Sequence, residues 1–332
     1  MTILVTGATG FLGSALVTEL VRQQSKQQEV RILARDVAKA RTQFGEAVSI
    51  VAGEITNEQQ VREAVDGASV VYHLVGHLYH PSVPTDLYRT THVEGTHTLL
   101  AACQGQRQLQ RIVHCSTTGV LGVTGQTPAA EDAPFAPTNP YEATKLESEL
   151  LALAAYKEYG LPVSVVRPGL VYGPGDLHLL GFFASIKKGL FRVIDGGKAL
   201  LHPIYIDDMT AAFLLCAKEP QAIGNSYNIA GNHPVTIREL STAIAHALNK
   251  ELPGASIPLW LANLASDIFS ITPGLKGEQA PLTRSRVQFL TNSRVYITDK
   301  ATVELGFIPQ VDLEEGMRRT AKWYYAHHYL WE

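Results

Sequence analysis

The sequence is poor in sulfur, with three cysteines and three methionines in 332 residues. Cys103, Cys115 and Cys216 stand far apart. That spacing excludes a disulfide scaffold and a cysteine-based zinc site, and it fits a reducing cytoplasm. Basic charge is not in excess: 28 Lys and Arg against 31 Asp and Glu give a net charge of −3. Nucleic acid is therefore not the expected partner. The basic residues that do gather, Arg284, Arg286 and Arg294, read as a solvated loop or as an anion contact in a cleft. No uncharged run has the length of a membrane span. The nearest approach, residues 257–271, is broken by Asp267 and reads as a buried helix able to line an apolar pocket. No secretory leader, low-complexity tract or internal repeat is evident.

What is present begins at the first residues. Ile3-Leu4-Val5 suits a buried strand, and apolar residues recur at helical spacing from Ser14 to Val21. Between them lies Thr6-Gly7-Ala8-Thr9-Gly10-Phe11-Leu12-Gly13. Strand, glycine turn and helix together form a dinucleotide-binding pattern. Gly7 permits the tight turn, Gly10 admits a pyrophosphate to the backbone, and Gly13 lets helix and strand pack closely. The helix N-terminus offers free N–H groups and a positive dipole end.

Further strands are expected at residues 30–34, 48–52, 69–76, 111–117 and 163–168, alternating with helices. Such alternation implies a doubly wound parallel α/β sheet with ligands bound beyond the carboxyl ends of its strands. Gly7, Arg35, Gly76, Thr117 and Pro168 all fall at such ends. At the second strand, Ala34 is neutral, Arg35 is basic and Lys39 lies one turn on, which suits the 2′-phosphate of NADP. Asp36 complicates this, either favouring NAD through the ribose or capping the next helix. His77, His80, His92 and His97 read as belonging to a loop over the cleft and a helix starting near Tyr88, with no metal ligand expected among them. Beyond Gly173 the alternation weakens into a smaller cap. The expected division is a dinucleotide-binding domain over residues 1–172, rejoined by 204–231, with 173–203 and 232–332 forming mainly the cap. Residues 204–208 and 226–230 read as returns to the main sheet.

Four motifs in order resemble the extended short-chain dehydrogenase/reductase family, also called the epimerase/dehydratase group. They are the T-G-x-x-G-x-x-G of residues 6–13, Tyr141-Glu142-Ala143-Thr144-Lys145, Thr117 ahead of Gly119-Val120-Leu121-Gly122, and Arg167-Pro168-Gly169-Leu170-Val171-Tyr172-Gly173-Pro174. The sequence looks closer to the 3-beta-hydroxysteroid dehydrogenase and dihydroflavonol reductase branch. The resemblance implies that Tyr141 is the acid/base, that Lys145 tunes it and holds the nicotinamide ribose, and that Thr117 hydrogen bonds to the substrate oxygen. It implies a Rossmann-type cofactor site from Gly7, Thr9, Gly10, Phe11, Leu12, Gly13, Arg35, Lys39, Glu54, Ile55, Leu74, Val75 and Gly76. Tyr141, Lys145, Pro168, Leu170 and Val171 complete that site.

Two departures bear on function. His92 replaces an asparagine that the family links to a proton relay, and Leu201 stands where sugar-nucleotide members carry a diphosphate-binding arginine. The reading is an NADP- or NAD-dependent oxidoreductase for an apolar or ring-containing alcohol or ketone. A nucleotide-sugar epimerase or dehydratase, and a non-catalytic binding protein on the same fold, are the alternatives. Family members are often dimers, so a homodimer is compatible with the resemblance.

Overall fold

The computed structural model describes residues 1–25, 27–80, 82–271 and 282–331. Its first part alternates β1 (Thr2–Thr6), α1 (Phe11–Arg22), β2 (Glu29–Ala34), α2 (Val37–Phe44), β3 (Ser49–Ala52), α3 (Glu58–Val65) and β4 (Ala68–His73). There follow α4 (Thr85–Arg89), a π-helical turn (Thr90–Glu94), α5 (Gly95–Cys103), β5 (Arg111–Cys115), α6 (Pro140–Tyr159), β6 (Val163–Pro168) and β7 (Leu170–Tyr172). The later part holds α7 (Leu180–Lys187), β8 (Val193–Ile194), β9 (Leu200–Leu201), β10 (Pro203–Tyr205), α8 (Ile206–Lys218) and β11 (Ser226–Ile229). It ends with β12 (Val235–Thr236), α9 (Ile237–Ala247), β13 (Ser256–Ile257), α10 (Leu259–Ile271), α11 (Arg284–Thr291), α12 (Asp299–Leu305) and α13 (Leu313–Ala326).

The main sheet is parallel and seven-stranded, in the order β11-β6-β5-β4-β1-β2-β3. Strand order reverses between β1 and β4, which places the glycine turn at the switch point, where such sheets open a crevice for ligands. Alternation along β1 explains the two layers. Ile3 and Val5 pack with α1, α8 and α12 on one face, while Leu4 packs with α3, α5 and α6 on the other. A second cluster, built from α7, α9, α11 and α13, forms the cap.

Two expectations are corrected. Residues 204–208 do not rejoin the main sheet: β10 pairs with β7 in a separate two-stranded sheet, and Ile206 already opens α8. Asp207 and Asp208 sit in the first turn of that helix, where acids complement the dipole. Residues 226–230 do rejoin it, as β11 beside β6. The apolar run at 257–271 forms a helix, but not a buried one. Leu259, Trp260, Leu261 and Leu264 are exposed, while the small Ala262 and Ser266 face inward four residues apart. None of its described side chains lines the cleft described below. As expected, His92 and His97 lie on a helical stretch, which runs from Thr85 to Cys103, and His92 is buried.

Candidate active site

A cleft of about 960 Å³ runs along the carboxyl edge of the sheet, and every candidate cofactor and catalytic residue named above lines it. At its base the glycine turn is shaped by backbone. Gly7 has φ +73°, and a Cβ there would stand 2.7 Å from the Leu74 carbonyl carbon at the end of β4. A Cβ on Gly13 would run into the Gly7 carbonyl oxygen. α1 begins at Gly10 with no side-chain cap and no acid in its first turn. Its leading N–H groups are thus left for an external acceptor, which fits the pyrophosphate of a dinucleotide.

At the end of β2, Asp36 caps α2, accepting from the Lys39 backbone N–H at 2.8 Å. Asp36 thus serves as the cap and also lines the cleft. Arg35 remains largely exposed and faces Glu54 at 3.9 Å, an exposed pair of little energetic weight. Arg35 and Lys39 both line the cleft here.

The catalytic candidates come from β5 and α6. Asn139 caps α6 by accepting from the Glu142 N–H at 3.0 Å, and Pro140 occupies the first turn. Tyr141 and Lys145, four residues apart, then project from one face. The Lys145 ammonium is buried and donates to the Cys115 carbonyl. Burial lowers its pKa from the ordinary lysine value. Burial likewise pushes the Tyr141 phenol above its ordinary value, and the Thr117 hydroxyl offsets part of that through a hydrogen bond. Desolvation dominates the phenol in this arrangement, followed by the neighbouring Cys115. Thr117 also accepts from the Gly119 N–H at 3.0 Å, which fixes the turn beyond β5.

Sequence reasoning did not foresee the layer beneath. Arg167 and Glu149 form a fully buried pair at 2.6 Å. Glu149 also accepts from the Ser116 hydroxyl at 2.5 Å, and Arg167 donates to the Glu131 carbonyl at 2.9 Å. This network anchors the residues just before Thr117 and Pro168. His92 Nε2 accepts from the His77 N–H at 3.1 Å, which assigns the proton to Nδ1, facing Thr144 Oγ1 at 2.9 Å. Its ring also lies edge-on to that of Tyr141, 5.6 Å between centroids. His92 therefore ties the segment after β4 to the catalytic helix. Burial, followed by the Lys145 charge, pushes its pKa down to about 2.

At the far end of the cleft only Leu201 and Arg294 had been singled out in the sequence. Leu78, Tyr79, Leu87, Asp176, His178, Leu201, His202, Phe289, Asn292, Arg294 and Tyr296 line it. The arginine cluster divides. Arg284 is exposed and pairs with Asp267 at 2.7 Å, Arg286 is exposed outside the cleft, and Arg294 turns into it. Arg294 Nη1 lies 2.8 Å from Glu142 Oε1, and Nη2 donates to Thr138 Oγ1 at 3.1 Å. Among the described residues no helix is long and apolar enough to cross a membrane.

Known proteins extend this picture. A profile of the NAD dependent epimerase/dehydratase family matches residues 3–230. The chain is 31% identical to a 2-alkyl-3-oxoalkanoate reductase of Stenotrophomonas maltophilia, over 96% of this chain and 98% of that protein. It is 29% identical to 3beta-hydroxysteroid-dehydrogenase/decarboxylase isoform 1 of Arabidopsis thaliana, over 95% of this chain and 78% of that protein. Among solved structures, dTDP-glucose 4,6-dehydratase from Streptomyces venezuelae, with NAD bound, aligns at a TM-score of 0.77 and 25% identity. That alignment covers 100% of this chain and 99% of the other. The glycine turn, the parallel sheet and these matches agree: the chain belongs to the NAD-dependent epimerase/dehydratase family of extended short-chain dehydrogenases/reductases, and is a nicotinamide-cofactor enzyme of that family.

Proposed function

We propose that this enzyme interconverts a secondary alcohol and a ketone on an apolar or ring-containing small molecule, using NADP, with NAD as the alternative cofactor. The observation that carries the reading is the joint presence of Thr117, Tyr141 and Lys145 in one cleft with the glycine turn, facing a far end walled by Leu201 and Phe289. The dinucleotide, held by the α1 N-terminus, Arg35 and Lys145, supplies or accepts the hydride. The Thr117 hydroxyl donates to the substrate oxygen and steadies its developing charge. The Tyr141 phenol passes a proton to that oxygen during reduction and takes one back during oxidation. A phenol raised by burial keeps its proton at neutral pH, the form that ketone reduction requires. The buried Lys145 cation stabilises the phenolate left behind. Pro168 and Leu170 line the cleft and would pack against the nicotinamide.

Leu201 favours this reading over a sugar-nucleotide one, since it is buried and apolar where a diphosphate needs a cation. The test is cofactor-absorbance turnover against hydroxysteroids, flavonols, aldehydes and sugar nucleotides. Net consumption of cofactor with an apolar alcohol or ketone is expected. Conversion of a sugar nucleotide without net cofactor consumption would replace the proposal with an epimerase or dehydratase.

A further inference from the structure

The far half of the cleft has a simple charge inventory. Asp176 is engaged by the N–H groups of His178 at 2.7 Å and Leu179 at 3.2 Å. His202 is buried with Nε2 against the Gly231 carbonyl at 2.9 Å, and burial lowers its pKa. Glu142 takes the Thr138 N–H and hydroxyl on Oε2 and Arg294 on Oε1. Arg35 and Lys39 belong to the adenosine end, and Lys145 is bound to Cys115. Among the described lining residues, Arg294 is thus the lysine or arginine left to meet a substrate.

We infer that Arg294 receives a carboxylate of the substrate, so that this site takes an apolar hydroxy or keto acid with its acidic group near the reacting carbon. The inference deepens the alcohol–ketone reading and rests on it.

Three features support it. First, Arg294 exceeds the needs of a counter-ion. A guanidinium has five N–H donors. Its bonds to Glu142, Thr138 and Tyr296 leave donors over, and a quarter of its side chain is still exposed. Second, it is held in place within the cleft that Tyr141 lines. Glu142 and Thr138 fix the guanidinium, while the Arg294 backbone N–H donates to the Leu200 carbonyl at 2.8 Å and fixes the chain beneath it. The fork keeps the planar form that matches a carboxylate. Third, its surroundings suit one charge on an apolar body. Leu201 and Phe289 share the lining with it, and among the described lining residues of this half no other lysine or arginine stands beside it to complete a diphosphate site.

The experiment uses the NADP-loaded enzyme with 3-hydroxydecanoate and its methyl ester, measuring binding by calorimetry and oxidation by cofactor absorbance. The acid should bind roughly tenfold or more tighter than the ester, the range of a charge-assisted hydrogen bond. Arg294→Met should erase that ratio, and Arg294→Lys should keep part of it. A purely structural loss lowers acid and ester together and leaves the ratio intact, so an unchanged ratio in Arg294→Met would overturn the inference. Equal binding of acid and ester by the wild type would overturn it too, while oxidation of both would leave the alcohol–ketone reading standing. Acid preference without any oxidation would do the reverse. UDP binding tighter than the acid, and lost in Arg294→Met, would assign the fork to a diphosphate and refute the carboxylate.

Discussion

The two halves of the cleft are built from different materials. The cofactor half is made by backbone: a left-handed Gly7, an uncapped helix start at Gly10, and a close approach at Gly13. The substrate half is made by side chains from distant elements, with Arg294 braced against Glu142 and Leu201 set beside Phe289. A backbone site tolerates few residue types, because each position is limited by sterics. A side-chain site tolerates many. The first half is therefore shared across chemistries, and the second decides the substrate.

Four changes break or sharpen this contrast. The largest effect belongs at the border between the halves. Tyr141→Phe should lower turnover by roughly 10²–10⁴-fold, the usual worth of a positioned acid/base, while dinucleotide affinity stays close to wild type. Rates and a cofactor titration on the same preparation check this, and near-normal turnover would remove Tyr141 from the acid/base role.

Next comes the backbone half. Gly13→Ala forces a methyl group against the Gly7 carbonyl oxygen, and such overpacking costs about 1–3 kcal/mol. Dinucleotide affinity should fall roughly tenfold to a hundredfold by calorimetry. An unchanged affinity would mean that the turn does not hold the phosphates.

The third change concerns the layer joining the halves. His92 has its folded pKa depressed to about 2, against about 6.5 when unfolded. Above pH 6.5 both states are neutral and the group contributes nothing. As pH falls below 6.5 only the unfolded chain gains the proton, so stability drops, by about 2 kcal/mol at pH 5. His92→Asn has no proton to gain, so its unfolding free energy should decline less steeply between pH 7 and pH 5 in urea titrations. Parallel slopes for the two proteins would contradict a buried neutral imidazole.

The smallest effect lies at the adenosine end. On the proposed NADP reading Arg35 would meet the 2′-phosphate, with Asp36 Oδ1 engaged by the Lys39 N–H. Wild type should bind NADPH roughly tenfold tighter than NADH, and Arg35→Ala should remove most of that difference. Equal wild-type affinities by fluorescence titration would return NAD as the preferred cofactor.

Legibility in the sequence follows the same divide. The glycine turn and the Tyr141–Lys145 pair were readable because local spacing dictates their geometry. Asn139, two residues before Tyr141, was not singled out, although a capping residue followed by proline is a local helix-start signal. Arg294 was noticed only as one of a basic group, since nothing local says that it crosses to Glu142 on another element. The Arg167–Glu149 pair was invisible for the same reason. α10 was misread because overall apolarity was weighed without its period. Its inward stripe is Ala262 and Ser266, four apart, which leaves Trp260 and Leu264 outside. The start of α8 was read as strand because Ile204-Tyr205-Ile206 is β-prone, although the paired acids that follow are a helix-start signal.

The interleaving of sheet and cap limits how this enzyme can be altered. The chain leaves the sheet after β6, returns for α8 and β11, departs again for α9 to α11, packs α12 against β11, and ends in the cap as α13. The cap is therefore not a module with two ends. It cannot be cut out and replaced by the cap of a relative, because no single excision removes it without unstitching β11 or α12 from the sheet. New specificity on this scaffold has to come from individual side chains around the cleft, changed in place on a framework that stays whole.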